Sequence, residues 1–206
     1  MPIDRDKSYT FSDYFKQKID AIDLAEYFGY RYRKQQLELG QSAPPVPQAA
    51  AIVSSLRRII PKLLSSNEQI KRDMLVAPII RCLLEETPAL LREEYTIYVS
   101  PQLQGALDYL LSVDNLHRLV VIEAKNDDFS YGFTQLFAQL IALDQWDRTP
   151  TLEAQPLLVG AVTIGEFWWF GLLDRQAKSL TQGINSYRVP EEVEQILKIL
   201  IELFPG

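Results

Sequence analysis

The spacing of apolar residues predicts three helices in the first half of the chain. Apolar side chains recur at helical intervals over residues 11–28, 49–64 and 66–86. Ser12 is placed to cap the first helix and Gly29 to end it. Ser66 opens the third with a capping-box pattern. A kink is expected at Pro78, because proline lacks the N–H that a helix interior requires.

Two segments between these helices do not follow the helical pattern. Residues 30–39 alternate weakly, which is compatible with a strand or an extended arm. Residues 40–48, GQSAPPVPQ, are proline-rich and block regular structure. The pattern therefore predicts an N-terminal helical extension with a Pro-rich linker over residues 1–48, followed by an α/β domain over residues 49–206.

The second half of the chain is dominated by strand patterns. Strands are predicted over residues 95–100, 104–113, 119–125, 157–163, 166–173 and 187–189, and helices over about residues 130–144 and from Pro190 onwards. The first three strands form a meander, and the helix after them connects to a parallel partner strand. Trp168 and Trp169 are adjacent in a strand and are expected on opposite faces. This order predicts a three-layer α/β domain with a mixed sheet of four or five strands.

Charged residues interrupt the most apolar strand. Residues 119–125 are apolar until Glu123 and Lys125, and buried charges are costly unless they have partners or a function. With a tight turn at residues 114–115, Asp108 of the preceding strand lies diagonally across from Glu123 on the same face. Diagonal neighbours are about 7–8 Å apart, but a one-residue slip would move Asp108 to the other face.

Two carboxylates and a lysine at one sheet edge have a defined chemistry. Carboxylate oxygens bind Mg²⁺, which activates a water molecule and stabilises charge on a phosphate. A lysine beside the ion can orient the attacking water or neutralise developing charge. The alternative is structural, since Asp108 could cap a turn while Glu123 and Lys125 form an ion pair at a strand end.

A longer ordered set of residues points to a family. In chain order it contains Glu68 at a helix start, Asp108, Glu123-Ala124-Lys125, Gln135 on a helix, and a strand pair over residues 160–170. This set resembles the PD-(D/E)xK nuclease superfamily, and is similar to the N-terminal nuclease domain of type I restriction enzyme motor subunits. The likeness covers residues 66–204 and implies a restriction-endonuclease-like fold with a central mixed sheet.

The resemblance also implies roles for individual residues. Asp108, Glu123 and the backbone carbonyl of Ala124 would hold Mg²⁺, with Mn²⁺ as a substitute. Lys125 would position the water, Glu68 would assist the ion through water, and Gln135 and Gln139 would lie at the substrate rim. Some relatives have a tyrosine where this chain has Gln139, so a contact made by that tyrosine is not carried over. On spacing alone, the glutamines are equally compatible with a polar solvent face, and Glu68 with the favourable charge of a helix start.

Composition limits the class of protein. The 206 residues carry a net charge of −6, whereas a freestanding DNA-binding protein usually has a basic footprint. Basic residues pair or cluster at Arg57-Arg58, at Lys71-Arg72, and at Arg31, Arg33 and Lys34, where solvated faces are the simpler interpretation. The single cysteine, Cys82, excludes an internal disulfide and a Cys-based zinc site. The single histidine, His117, argues against a His-rich metal site and a Ser-His-Asp triad. The polar N-terminus and the lack of a long apolar run predict a cytoplasmic protein without a membrane span.

The sequence thus predicts a Mg²⁺-dependent nuclease that hydrolyses DNA. The alternative is a catalytically inactive member of the same fold that binds a protein or a nucleic acid. The expected partners are DNA, a second copy of the chain in a homodimer, and a protein that supplies DNA specificity.

Overall fold

The structure is a computed structural model that describes residues 3–64, 67–113, 120–124 and 129–204, with the backbone alone for residues 120–124. Its helices are α1 Phe11–Lys16, α2 Ala21–Phe28, α3 Ala49–Ile59, α4 Glu68–Lys71, α5 Ala77–Glu86, α6 Phe129–Gln145 and α7 Val193–Glu202. Its strands are β1 Arg31–Gln35, β2 Leu90–Ser100, β3 Leu103–Ser112, β4 Val120–Ala124, β5 Leu157–Thr163, β6 Phe167–Asp174 and β7 Ser179–Arg188. Ile60–Lys62 forms a 3-10 turn and Arg72–Val76 a π-helical turn.

The described strands form one mixed sheet. The order is β1-β7-β6-β5-β4-β3-β2, a total of seven strands. The meander of β2, β3 and β4 and the parallel pairing of β4 with β5 are confirmed. The predicted number of four or five strands is wrong, because β1 joins the sheet in parallel with β7, and β7 is a full strand of ten residues.

Helices cover both faces of the sheet. Along β5, Leu158 and Val162 belong to a hydrophobic cluster that also contains residues of α1, α2 and α6. Val159 and Ala161 point the other way, into a cluster with residues of α3, α5 and α7. A strand that is apolar on both faces is typical of the centre of such a sheet. The chain is therefore a mixed α/β protein. Within the described residues, no helix is both long enough and apolar enough to cross a membrane.

The predicted helix over residues 11–28 is divided into α1 and α2. Thr10, rather than Ser12, precedes the first of them, and its backbone N–H donates to the Asp13 carboxylate at 2.8 Å. The helical conformation is interrupted at Lys18, where φ is 53°. Asp20 then caps α2 by accepting a hydrogen bond from the backbone N–H of Ile22 at 2.7 Å. The prediction of a single helix is wrong because a second N-cap residue lies within the apolar repeat.

Residues 3–48 contribute to the same core as the remainder of the chain. β1 pairs with β7, and buried residues of α1 and α2 lie in the cluster that contains α6. The proline-rich linker is irregular as predicted, but it lies along α7, where the Ser42 backbone N–H donates to the Lys198 carbonyl at 3.0 Å and Val46 is buried. The domain limit at residue 48 stays a prediction, although sheet pairing crosses it.

Two helix starts differ from their predicted positions. Ser66 lies outside the described residues, and the N-cap of α4 is Asn67, whose side chain accepts from the Ile70 backbone N–H at 2.9 Å. The last helix begins at Val193 rather than Pro190. The Arg188 backbone N–H donates to the Glu192 carboxylate at 2.7 Å, which holds the intervening residues in a turn. The distortion expected at Pro78 is present as the π-helical turn that precedes it.

Candidate functional site

The register of β3 and β4 determines where the predicted acids lie. The paired residues are Tyr109 with Ile122, Leu110 with Val121 and Leu111 with Val120, a shift of two residues from the predicted register. Because successive residues of a strand alternate between faces, an even shift leaves Asp108 and Glu123 at positions of the same face. They are the first residues of the two strands beyond the last pair.

The strands separate at this point. β4 continues beside β5 as far as the pair of Ala124 with Thr163, whereas its pairing with β3 ends at Ile122. Asp108, Glu123 and Ala124 therefore lie around a fork in the sheet. Asp108 is half-buried, while Lys125 and the side chain of Glu123 lie outside the described part of the structure.

The helix that carries Glu68 lies against the same end of the sheet. A Cβ atom at Gly165, in the turn after β5, would be 2.9 Å from Leu75 and 3.3 Å from Lys71, so this turn touches the α4 segment and the π-helical turn directly. Glu68 is the first residue of α4 and stands one helical turn before Arg72. The α4 segment therefore lies against the turn after β5, and the role of Glu68 stays a prediction.

Near the fork, Arg72 differs from its predicted solvent-exposed environment. Its guanidinium lies 5.2 Å from the centre of the Tyr109 ring and 3.8 Å from the Glu94 carboxylate, and its side chain is 13% exposed. The predicted solvated basic face at Lys71-Arg72 is therefore wrong for Arg72. The available signal was its spacing of four residues from Glu68, which puts both side chains on one helix face.

Electrostatics link Arg72 to Asp108. Burial alone would lower the pKa of Arg72, but its hydrogen bond to Tyr109 and the nearby charges of Asp108 and Glu94 raise the pKa above its ordinary value. Burial raises the pKa of Tyr109, and the Arg72 cation opposes that rise. The permanent positive charge of Arg72 thus interacts electrostatically with the Asp108 carboxylate.

Replacing Arg72 with alanine is expected to lower the free energy of unfolding by about 1–2 kcal/mol. The loss comes from the partly desolvated cation–π contact with Tyr109 and from packing of the side-chain stem. The ion pair with Glu94 contributes little, because Glu94 is 73% exposed. Urea denaturation measures the change, and Arg58→Ala on the exposed face of α3 should stay within about 0.5 kcal/mol. An Arg72→Ala effect no larger than this control would contradict a structural role.

Gln135 and Gln139 lie within the core. α6 is buried along most of its length, and these side chains are 3% and 0% exposed. The polar solvent face considered as an alternative is wrong, since the helix packs between the sheet and α1 and α2. Their place at a substrate rim stays a prediction.

A second polar cluster lies at the C-terminal end of α6. The Asp144 carboxylate accepts hydrogen bonds from the Tyr30 hydroxyl at 2.6 Å, from Arg175 at 2.8 Å and from Lys178 at 2.5 Å. Asp144 is 5% exposed and Arg175 is 9% exposed. Burial raises the pKa of Asp144, but these donors more than offset the effect and hold it below the ordinary value. The cluster ties α6 to the segment before β1 and to the β6–β7 turn.

Cys82 is not a nucleophile at neutral pH. It lies buried in α5, and burial together with the nearby charges of Glu86 and Glu85 raises the pKa of its thiol to about 11. A buried thiol with a raised pKa is inert, because the thiolate is the reactive form.

The residues around the fork are suited to a hard cation. The predicted ligands, Asp108, Glu123 and the carbonyl of Ala124, are all oxygen donors, which Mg²⁺ prefers. Within the part of the chain whose side chains are described, no group of three or more His, Cys, Asp or Glu side chains could hold a metal ion. The predicted set includes Glu123, whose side chain is outside that part. The donor types fit Mg²⁺, and their assignment as ligands stays a prediction.

Comparisons of the chain with models of protein families, with curated proteins and with solved structures give no match.

Proposed function

We propose that this chain is a metal-dependent nuclease that hydrolyses phosphodiester bonds of DNA, built on a restriction-endonuclease-like fold. One observation carries the proposal. Asp108 and Glu123 are the first residues beyond the last β3–β4 pair, on one face of the sheet, and Ala124 is next in the chain. The meander, the crossover helix α6 and the parallel strand β5 follow in the order that the resemblance implies.

Each residue has a part in the proposed reaction. Asp108, Glu123 and the backbone carbonyl of Ala124 hold Mg²⁺ or Mn²⁺, which when bound lowers the pKa of water and stabilises charge on phosphate. Lys125 orients the attacking water, and Glu68 supports the site through a water molecule. Gln135 and Gln139 of α6 lie at the substrate rim.

The proposal also includes the substrate, the partners and the cellular location of the protein. DNA is the substrate, and the net charge of −6 means that local basic residues, rather than the protein as a whole, attract it. A homodimer and a partner that supplies DNA specificity belong to the same proposal, as does a cytoplasmic location.

A specific observation favours a second candidate, a catalytically inactive protein with the same fold. Arg72, whose side chain is 13% exposed, interacts electrostatically with Asp108, and this carboxylate contributes to the raised pKa of the guanidinium. A guanidinium in this position can neutralise Asp108 without a metal ion. In that case, the charged residues at the fork would stabilise the fold, and the protein would act by binding a protein or a nucleic acid.

Metal binding should stabilise the protein measurably. An ion that binds the folded chain alone, at a hundredfold excess over its dissociation constant, adds about 2.7 kcal/mol. For a domain of this size, the melting temperature should rise by roughly 5–10 °C with Mn²⁺. Asp108→Asn should lose this rise, whereas Asp147→Asn, which changes an exposed acid distant in sequence, should retain it.

Thermal melting with and without millimolar Mn²⁺ measures the effect, and calorimetry measures binding directly. The same preparation is then incubated with linear, supercoiled, single-stranded and branched DNA in the presence of Mg²⁺ or Mn²⁺. Cleavage of at least one form supports the nuclease. Metal binding without cleavage of any form would favour the inactive candidate, and no metal effect at all would contradict the predicted site.

A further inference from the structure

Three aromatic rings stack one after another between the start of α6 and the sheet, and we call Phe129, Trp169 and Phe167 the aromatic ladder. The ring centres of Phe129 and Trp169 are 4.5 Å apart, and the planes of the two rings differ by 9°. The ring centre of Phe167 lies 5.9 Å from that of Trp169, with an angle of 28° between the planes. Phe129 is the first residue of α6. Trp169 and Phe167 share one face of β6, because they are two residues apart in the strand.

The aromatic ladder is partly open to solvent. All three of its side chains are half-buried, whereas the neighbouring Trp168 is fully buried. Trp168 belongs to the core cluster that contains residues of α5 and α7, on the other face of the sheet. Trp169 lies at the border of the cluster that contains α6 and is packed against it. The ladder therefore presents apolar ring surface to solvent at the edge of the core.

The strand register connects the aromatic ladder to the fork. Glu123 of β4 pairs with Val162 of β5, and Val162 pairs with Trp169 of β6. Residues that pair across a sheet lie on the same face, so the Glu123 position and Trp169 share a face two strands apart. At ~4.8 Å per strand, they are separated by roughly 10 Å, which is the length of about three stacked nucleotides at ~3.4 Å each. A DNA strand with a phosphate at the fork therefore reaches the ladder.

The charges around the aromatic ladder are of both signs. Arg188 of β7 pairs with the outermost residue of the ladder and is 65% exposed, but Glu191 lies 3.5 Å from it. Glu166 is exposed in the turn before β6, and Asp127-Asp128 directly precede α6 in the sequence. These acids and the net charge of −6 weaken the attraction of phosphates. DNA binding at this surface therefore requires a contribution that does not depend on charge, and stacking of bases on aromatic rings supplies one.

We propose that the aromatic ladder binds an unpaired base of DNA, so that the substrate is DNA with a single-stranded segment at the fork. The position of the phosphate in this inference rests on the proposed nuclease, whereas the stacking itself requires no metal ion. Bases of any sequence stack on aromatic side chains, because every base has a π-face. A base within a duplex is already stacked and paired, and must first be unpaired at a cost in free energy. The ladder therefore selects single strands over fully paired DNA.

Fluorescence anisotropy of a labelled oligothymidylate tests the proposal in EDTA, where metal-dependent cleavage does not occur. The wild type should bind this single strand about tenfold or more tightly than the duplex that it forms with oligoadenylate. Trp169→Leu should weaken single-strand binding about tenfold by removing the central ring, and Trp169→Phe should retain most of the binding. Trp146→Leu is the matched control. This half-buried tryptophan follows the other end of the 17-residue helix α6, about 25 Å from the ladder.

Single-strand binding that weakens in Trp169→Leu, but not in Trp169→Phe or Trp146→Leu, supports the aromatic ladder as a binding site. Asp108→Asn should bind the single strand as the wild type does, so a failure of the proposed nuclease leaves this result intact. No binding of the single strand, equal binding of the duplex, or equal effects of Trp169→Leu and either Trp169→Phe or Trp146→Leu would overturn the proposal. Melting temperatures confirm that each variant is folded, and Phe167→Leu gives the same comparison if Trp169→Leu is unfolded.

Discussion

The Lys125→Ala variant is expected to lose metal-dependent DNA cleavage by roughly 10²–10³-fold while remaining folded. This is the usual loss when a positioned group that stabilises a developing charge is removed. The effect should fall on the chemical step, because Lys125 is proposed to orient water rather than to hold the ion. The Mn²⁺-dependent rise in melting temperature should therefore persist, in contrast to Asp108→Asn.

The control for this variant is Lys62→Ala, which removes an exposed lysine from the 3-10 turn after α3. It should cleave DNA at the rate of the wild type. Initial rates on the form of DNA that the wild type cleaves best give the comparison, and melting temperatures within about 2 °C of the wild type confirm the fold. A Lys125→Ala protein as active as the control would exclude the proposed role of Lys125.

The Asp144→Ala variant is expected to lower the free energy of unfolding by about 3–5 kcal/mol, the usual cost of removing one partner from a buried ion pair. Arg175, at 9% exposure, would be left without the carboxylate that it contacts at 2.8 Å. The half-exposed Lys178 contributes little to this value, because water replaces its partner. Chemical denaturation measures the loss, and Asp147→Ala, three residues along the chain and exposed, should change it by less than about 0.5 kcal/mol.

The same cluster predicts a dependence on pH. The pKa of Asp144 is lower in the folded protein than its ordinary value of 3.8. The stability that this carboxylate contributes is therefore fully present above pH 3.8 and is lost as the pH falls through the folded pKa. The difference between wild type and Asp144→Ala should be constant from neutral pH down to about 4 and should shrink below it. A difference that shrinks between pH 7 and pH 5 would contradict this assignment.

The face shared by Asp108 and Glu123 could be predicted because strand alternation has a period of two. The observed register differs from the predicted one by two residues, and an error of two residues preserves the face. The exact pairing of β3 with β4 carried no comparable constraint in the sequence. The position of both acids just beyond the last strand pair therefore came from the structure.

Other features could not be read from local patterns. β7, with the sequence SLTQGINSYR, is largely polar and lacks the alternation that identifies a strand, although its first five residues are buried. The Asp144 cluster joins Tyr30, Arg175 and Lys178, which are brought together only by the folded chain. Arg72 was misread because a basic pair on a helix is usually solvated, whereas a neighbouring aromatic ring on β3 covers it here.

The parallel pairing of β1 with β7 has a consequence for self-association. A strand at the edge of a sheet exposes unpaired N–H and C=O groups that can template pairing with another chain. β7 would be such an edge without Arg31–Gln35, and its Leu180, Thr181 and Gln182 side chains would lose their cover. β1 is short and carries three cations, Arg31, Arg33 and Lys34, which repel a second copy of the same strand. The N-terminal segment therefore disfavours self-association through the sheet, because it covers the uncharged first half of β7 with a short, positively charged strand.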